Sequence, residues 1–338
     1  MTDLVARART IADEVLFPAA AEVDVKGEVP RSHFDLLAEQ GFYGLAAPVE
    51  LGGAGADLPQ LSAIVETLAG GCLSTTFTWL QHHGLVAGLA QSASPLRERY
   101  LAPLIRGEVR AGVAYGGVIP KTPLMRATRV EGGYAFTGVA PFVSGWGLID
   151  VLQLCGRDGD NLISAVVDAA AGPRLAVRRL DLVAVQGTAT VALTLDGYFV
   201  PEELVYDETS HADFITGNPF GARLNGCAHL GLAGRAARLI DEAGQPEVAA
   251  TLRAEQTQVR DALDEGLAAG DMARLFEARA AGAELAYRSA GALVAAVGSR
   301  AVLTGEHAQR LVREATFLLV VASRPEIKAG LLARAAAR

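Results

Sequence analysis

The chain is short of cysteine, of aromatic residues and of clustered positive charge, and each shortage excludes something. Its three cysteines, Cys72, Cys155 and Cys227, stand far apart with no C-x-x-C pair and no histidine at ligand spacing. A disulfide framework and a cysteine metal site are therefore not expected, and the three read as reduced, mostly buried thiols. The adjacent His82 and His83 would project about 100° apart on a helix, so they cannot form an i, i+4 metal pair. No metal is expected. The formal charge is −8 and no basic cluster is interleaved with aromatics, which argues against nucleic acid as a partner. The opening "MTDLVARARTIADEVLFPAA" lacks the apolar core and small-residue cleavage site of a secretory signal, giving a cytoplasmic expectation. Residues 73–96 contain no Asp, Glu, Lys or Arg, yet Thr, Gln, His and Ser recur through the run. That predicts a buried helix and no membrane span.

What is present is ample core material: 51% of 338 residues are hydrophobic and 20% charged, enough for two or three domains. Helical patterning dominates the first hundred residues. "PRSHFDLLAEQGFYGL" has Pro30 and Ser32 as start signals and stops at Gly41; "DLPQLSAIVETLAGG" has Asp57 as N-cap, Pro59 in the first turn and Gly70-Gly71 as the stop. "AAPVELGGAGAD" between them reads as a loop. From about residue 108 the runs shorten and fill with Val, Leu, Thr and Tyr. "RATRVEGGYAFTGVAPFV" predicts strand, Gly-Gly hairpin, strand, and "ISAVVDA", "LAVRRLDL" and "TATVALTLDGYFV" follow as further strands. From about residue 210 four long amphipathic segments return, the count of a four-helix bundle. The first carries Gly226, Ala228, Gly231, Ala233 and Gly234, a small-sided face suited either to tight helix packing or to a flat ligand. The expected organisation is α+β: an N-terminal helical domain over 1–107, a middle β-barrel-like domain over 108–207, and a C-terminal four-helix bundle over 208–338.

That layout resembles the acyl-CoA dehydrogenase family, with landmarks in the right order along nearly the whole chain. "EQGFYGLAAPVELGGAGADL" is similar to the family's N-terminal signature, "RYLAPLIRGEVRAGVAYG" to the lead into its β-domain, "RVEGGYAFTGVAPFVSG" to its hairpin, and "LDLVAVQGTATVALTLDGYFVPEELV" to the strand pair and exit. The resemblance implies FAD as cofactor and an acyl-CoA thioester as substrate. In such chemistry a carboxylate removes the proton alpha to the thioester while a hydride leaves the beta carbon for the flavin, and the protein supplies position, base and electrostatics. It also implies a homodimer or homotetramer, or a heterotetramer with a second dehydrogenase chain.

Residue by residue the resemblance is uneven. In "PFVSG", Phe142 and Ser144 match the aromatic and hydroxyl that lie near the flavin ring. Tyr115, Gly116 and Gly117 open the shortened loop that would hold the flavin's pyrimidine edge and the substrate. Gly298 and Arg300 stand where the family grips the FAD pyrophosphate or adenine, commonly across subunits. "RLVREATFLLVVASRPEI" resembles the stretch that carries the catalytic glutamate: Arg313, Glu314 and Ala315 match its Arg-acid-Ala triplet, and Ala322 falls on the base, with Ser323 and Arg324 in place of Gly-Thr. The alternative base position, on the first bundle helix, is Ala222 beside Arg223. Glu326 lies one helical turn beyond Ala322. Three functional readings follow: an acyl-CoA dehydrogenase-like chain active either with an unrecognised base or as the base-lacking partner of a second chain, a flavin monooxygenase or oxidase using "TWLQHHG" and Ser144, and a non-catalytic structural or regulatory relative. The acyl pocket is expected between bundle and β-domain.

Overall fold

Residues 4–216, 219–322 and 324–337 are described by the computed structural model. The first region is helical: α1 (Leu4–Thr10) runs through a π-helical stretch, Ile11–Leu16, into α2 (Phe17–Lys26), followed by α3 (Arg31–Glu39), α4 (Leu58–Gly71), α5 (Leu73–Leu80), α6 (His82–Gln91) and α7 (Leu96–Ile105). Asp57 caps α4 as predicted, its side chain accepting from Gln60 N–H while the Gln60 side chain accepts from Asp57 N–H. Ser32 differs from expectation. It lies inside α3, whose N-cap is Pro30 with no side-chain bond. The charge-free run from residue 73 forms two helices, broken at Gln81, in place of one. α4 ends at Gly71, as the Gly70-Gly71 stop predicts, and the two glycines let it be approached. A Cβ on Gly71 would stand 3.0 Å from the Ala12 carbonyl oxygen, and one on Gly70 2.9 Å from that of Gly231.

The middle region is one sheet of eight strands: β1 (Ala111–Ala114), β2 (Met125–Val130), β3 (Gly133–Val143), β4 (Val151–Asp158), β5 (Asn161–Asp168), β6 (Leu175–Arg179), β7 (Val191–Pro201) and β8 (Val205–Ser210). The order is β6-β7-β3-β2-β4-β5-β8, with β1 parallel to β4. The predicted β2–β3 hairpin forms, but its turn is Glu131-Gly132, one residue earlier than the Gly-Gly pair, because Gly133, already in β3, pairs with Val130. Among the described residues no pairing joins β6 to β8, so the sheet curls over its own core, Phe136, Leu152, Leu154 and Leu193 among them, without closing into a barrel. β8 runs past the expected boundary at 207.

After α8 (His211–Thr216) come α9 (Pro219–Glu242), α10 (Pro246–Ala268), α11 (Met272–Val297), α12 (His307–Leu318) and a fifth bundle-region helix, α13 (Pro325–Ala336). The small face of α9 serves helix packing: a Cβ on Gly226 would meet Leu263, on Gly231 the Glu66 carbonyl, and on Gly234 Gln256. Residues 69 and 73 join the bundle's core, and Cys227 joins the N-terminal core, so the two helical regions share one interior. No described helix is long and apolar enough to cross a membrane.

Candidate functional site

The end of β3 is where the backbone departs from ordinary geometry. Four described non-glycine residues have left-handed φ: Phe142 at 56°, Val185 at 52°, Ala189 at 48° and Ala322 at 45°. For a β-branched residue such as Val185 this is an outlier, and such strain persists only where surrounding structure over-determines it. Three of the four surround one feature. Gly145 N–H donates to the Thr188 carbonyl at 2.7 Å and Trp146 N–H to that of Ala189 at 3.2 Å, stitching the 182–190 loop to the strand that carries Phe142 and Ser144.

Within that stitch the hydroxyls form a relay. Ser144 Oγ lies 2.8 Å from Thr190 Oγ1, which lies 2.7 Å from Thr188 Oγ1, whose hydrogen goes to the Val185 carbonyl at 2.8 Å. One hydrogen per hydroxyl then fixes the direction: Thr190 donates to Thr188 and Ser144 to Thr190. Ser144 is left with lone pairs, so toward a ligand it accepts. Phe142 is the opposite of its neighbour, an aromatic 69% exposed in a strained backbone. A flat ring laid on it would cover apolar surface that water now covers.

The structure brings the Tyr115 loop to the same strand. Gly116 and Gly117 have a packing cause, since a Cβ would stand 2.6 Å from the Pro141 carbonyl oxygen in one case and against the Val139 carbonyl in the other. Tyr115 meets Phe214 edge-on at 5.3 Å, and burial pushes its phenol up, so it stays protonated at neutral pH. Gly298 and Arg300 are not brought there. Gly298 ends α11, exposed, and Arg300 pairs with Glu306 at 3.3 Å on the surface.

The two base positions converge on one stretch of α11. Ala222 packs with Leu230, Leu263, Leu275 and Ala278. Ala322 is exposed, and its carbonyl accepts from Arg279 at 3.3 Å while that of Val321 accepts from the same guanidinium at 3.4 Å. Ser323 lies outside the described residues. Glu326 is exposed in the first turn of α13. A buried imidazole on α9, His229, donates from Nε2 to the Leu318 carbonyl at 3.0 Å. Burial first, then the Arg279 charge, pulls it down to about 4, so it is neutral at pH 7 and sealed from a ligand. Arg313 and Glu314 of the triplet are structural. Arg313 bonds Asp24, and Glu314 accepts from Arg310 at 2.7 Å inside the helical interior.

Of the histidine pair, His82 is fully engaged, accepting Ala111 N–H and donating to the Leu104 carbonyl, both at 3.1 Å. It ties α6 to β1. His83 Nε2, Trp79 Nε1 and Thr78 Oγ1 are buried with no hydrogen-bond partner, and Thr78 faces the loop after β3 through Gly145. A groove of about 350 Å³ lined by Glu255, Arg274 and Arg288 lies within the bundle, and another of about 310 Å³ lies between Asp24 and Arg313. Neither is the acyl pocket expected between bundle and sheet. Sequence reasoning missed Arg279 and the Thr188–Thr190 relay. A lone arginine in the alanine-rich "FEARAAGAELA" was the available signal for the first.

Comparison with known proteins agrees with this layout. The acyl-CoA dehydrogenase N-terminal domain matches residues 2–108. Benzylmalonyl-CoA dehydrogenase of Aromatoleum aromaticum is 26% identical over 56% of this chain and 52% of its own length, and 3-(aryl)acrylate reductase of Clostridium sporogenes is 32% identical over 41% and 38%. The chain thus spans about half or less of the curated relatives it matches. Glutaryl-coenzyme A dehydrogenase, solved as its glutaryl-CoA complex, superimposes with a TM-score of 0.87 at 19% identity over 99% of this chain and 95% of that one. The fold is that of a helical domain, a central sheet and a helical bundle. The first third of the chain thus matches the acyl-CoA dehydrogenase N-terminal domain, and the whole chain shares the fold of glutaryl-coenzyme A dehydrogenase.

Proposed function

We propose that this chain is a flavin-dependent, acyl-CoA dehydrogenase-like oxidoreductase subunit that lacks its own base and completes an oligomeric site with a second chain. The observation that supports it is the left-handed backbone at Phe142, Val185 and Ala189 around one platform, together with a methyl group at Ala322, where the resemblance puts the base. Strain of about 1–3 kcal/mol per residue is held where geometry serves a task.

The residues fit a flavin ring: Phe142 would cover one face, Ser144 would accept a hydrogen bond, and the Tyr115–Gly117 loop would border it. FAD, when bound, would supply the hydride acceptor. Neither residue expected at the nucleotide end is turned toward this platform. Gly298 is exposed and Arg300 is committed to Glu306, which supports contacts from a neighbouring subunit. With methyl groups at 222 and 322, the proton alpha to a thioester has no carboxylate acceptor at either expected position. A partner chain would provide it.

The visible spectrum of the purified protein, alone and co-expressed with a base-bearing dehydrogenase, tests this before and after anaerobic addition of acyl-CoA thioesters. The expected result is flavin that bleaches only in the co-expressed preparation. Absence of flavin from both preparations overturns the reading. The unpartnered His83 and Trp79 nitrogens favour one second reading, a monooxygenase or oxidase on the same fold. It predicts flavin in the chain alone, with no thioester bleaching but oxygen uptake once reduced.

A further inference from the structure

Four buried polar atoms without a hydrogen-bond partner lie on or beside one short strip, residues 78–84, where α5 gives way to α6: Thr78 Oγ1, Trp79 Nε1, His83 Nε2 and, on β4, Gln153 Oε1. Thr78, Trp79 and Gln153 are 4%, 2% and 3% exposed. A buried polar atom in a native fold is nearly always paired, and leaving one unpaired costs about 1–3 kcal/mol. Other polar groups of the same two helices are paired. His82 engages both ring nitrogens, and Thr75 and Thr76 bond Cys72 Sγ and the Cys72 carbonyl. The orphaned atoms are local to the strip and call for a partner from outside the chain.

The strip spans the two segments that border the platform. At one end Thr78 Cγ2 lies 3.2 Å from where a Cβ on Gly145 would stand, one residue beyond Ser144. At the other, a Cβ on Gly84 would stand 3.3 Å from Gln153 Oε1 and 3.7 Å from the Tyr115 hydroxyl. Gly84 is itself exposed, so the helix backbone is open to solvent beside Gln153 and Tyr115, where any other residue would put a side chain. Between these ends Trp79 and His83 meet edge-on, ring centroids 4.5 Å apart, and their Nε atoms do not bond each other.

The chemistry of the atoms defines what they would hold. Trp79 Nε1 can only donate, and a neutral imidazole can donate from Nε2. Gln153 Nε2 is committed to the Tyr206 hydroxyl, which leaves Oε1 as an acceptor. Burial alone pulls His83 down to about 4, with no carboxylate or guanidinium contributing, so it is neutral at pH 7. A carboxylate held here would be buried without a counter-charge. A keto or hydroxyl oxygen would be satisfied.

We propose that Trp79 and His83 recognise an uncharged oxygen, keto or hydroxyl, on the acyl group of the thioester, which runs from the Ser144 platform along α5 and α6. They determine specificity and take no part in proton or hydride transfer. The proposal rests on the acyl-thioester reading of the platform and adds the class of acyl group.

Titration calorimetry of the full chain with heptanoyl-CoA, its 4-oxo and 6-oxo forms and pimeloyl-CoA tests it. The expected result is that one oxo form binds about tenfold tighter than heptanoyl-CoA, the span of one good hydrogen bond, and that this ratio falls to about one in Trp79→Phe and in His83→Leu. The ratio is the readout, since a structural role would move all four affinities together. His83→Leu suffices if Trp79→Phe fails to fold. Equal binding of the oxo forms and heptanoyl-CoA overturns this proposal alone, as does a ratio that survives both substitutions or a preference for pimeloyl-CoA over either oxo form. Failure of all four to bind overturns the thioester reading and the proposal with it.

Discussion

Ala222 and Ala322 are chemically the same residue in two different situations. One is sealed among Leu230, Leu263, Leu275 and Ala278; the other is exposed at a left-handed φ on a turn clasped by Arg279. The sealed position has been absorbed into the core and has no room for a carboxylate. The open one stands on an exposed turn with room for a longer side chain. A base could be returned to 322 but not to 222.

The largest expected effect tests how well the sealed side is sealed. Burial lowers His229 and His83 to about 4 each, so both are neutral in the fold at pH 6 while the unfolded chain, with ordinary imidazoles near 6.5, binds protons. Stability is fully present above about pH 6.5 and falls as pH drops toward 4, by up to about 3 kcal/mol per histidine. Denaturant midpoints between pH 7 and 4.5 would show it. A flat profile down to pH 5 would mean that water reaches these rings. Next in size, Ala222→Glu should cost about 3–5 kcal/mol by burying an unpaired charge, read as a lowered urea midpoint. Phe142→Gly should split two properties: stability rises by about 1 kcal/mol as the left-handed strain is released, while flavin retention falls. If both fall together, the strained ring is core and no platform. The smallest effect is that of Ala322→Glu, within about 0.5 kcal/mol in stability. In flavin-loaded protein it should create thioester-dependent bleaching.

Much of this architecture was legible because periodicity reports burial directly. The Asp57 cap, the β2–β3 hairpin and the four long bundle helices follow from local spacing. β4, "VLQLCGRD", was missed because a strand buried along nearly its whole length shows no alternation. The break at Gln81 was missed because no Gly or Pro marks it. At the site, Phe142 and Ser144 were visible through resemblance, whereas the Thr188–Thr190 relay depends on a loop 46 residues away from Ser144. Gly116 and Gly117 had a reason that sequence could not give, the carbonyls of a neighbouring strand.

The Arg313–Asp24 bond spans 289 residues, and Asp13 bonds Arg235 and Arg238 across 222 and 225. During synthesis the first helices therefore emerge long before the arginines that neutralise them, and the β-sheet is made in between. Contacts of such separation form late and slow folding. The helical shell can close only after the sheet it encloses has been made, so a nascent chain halted near residue 210 should hold a sheet whose amino-terminal helices are still waiting for their partners.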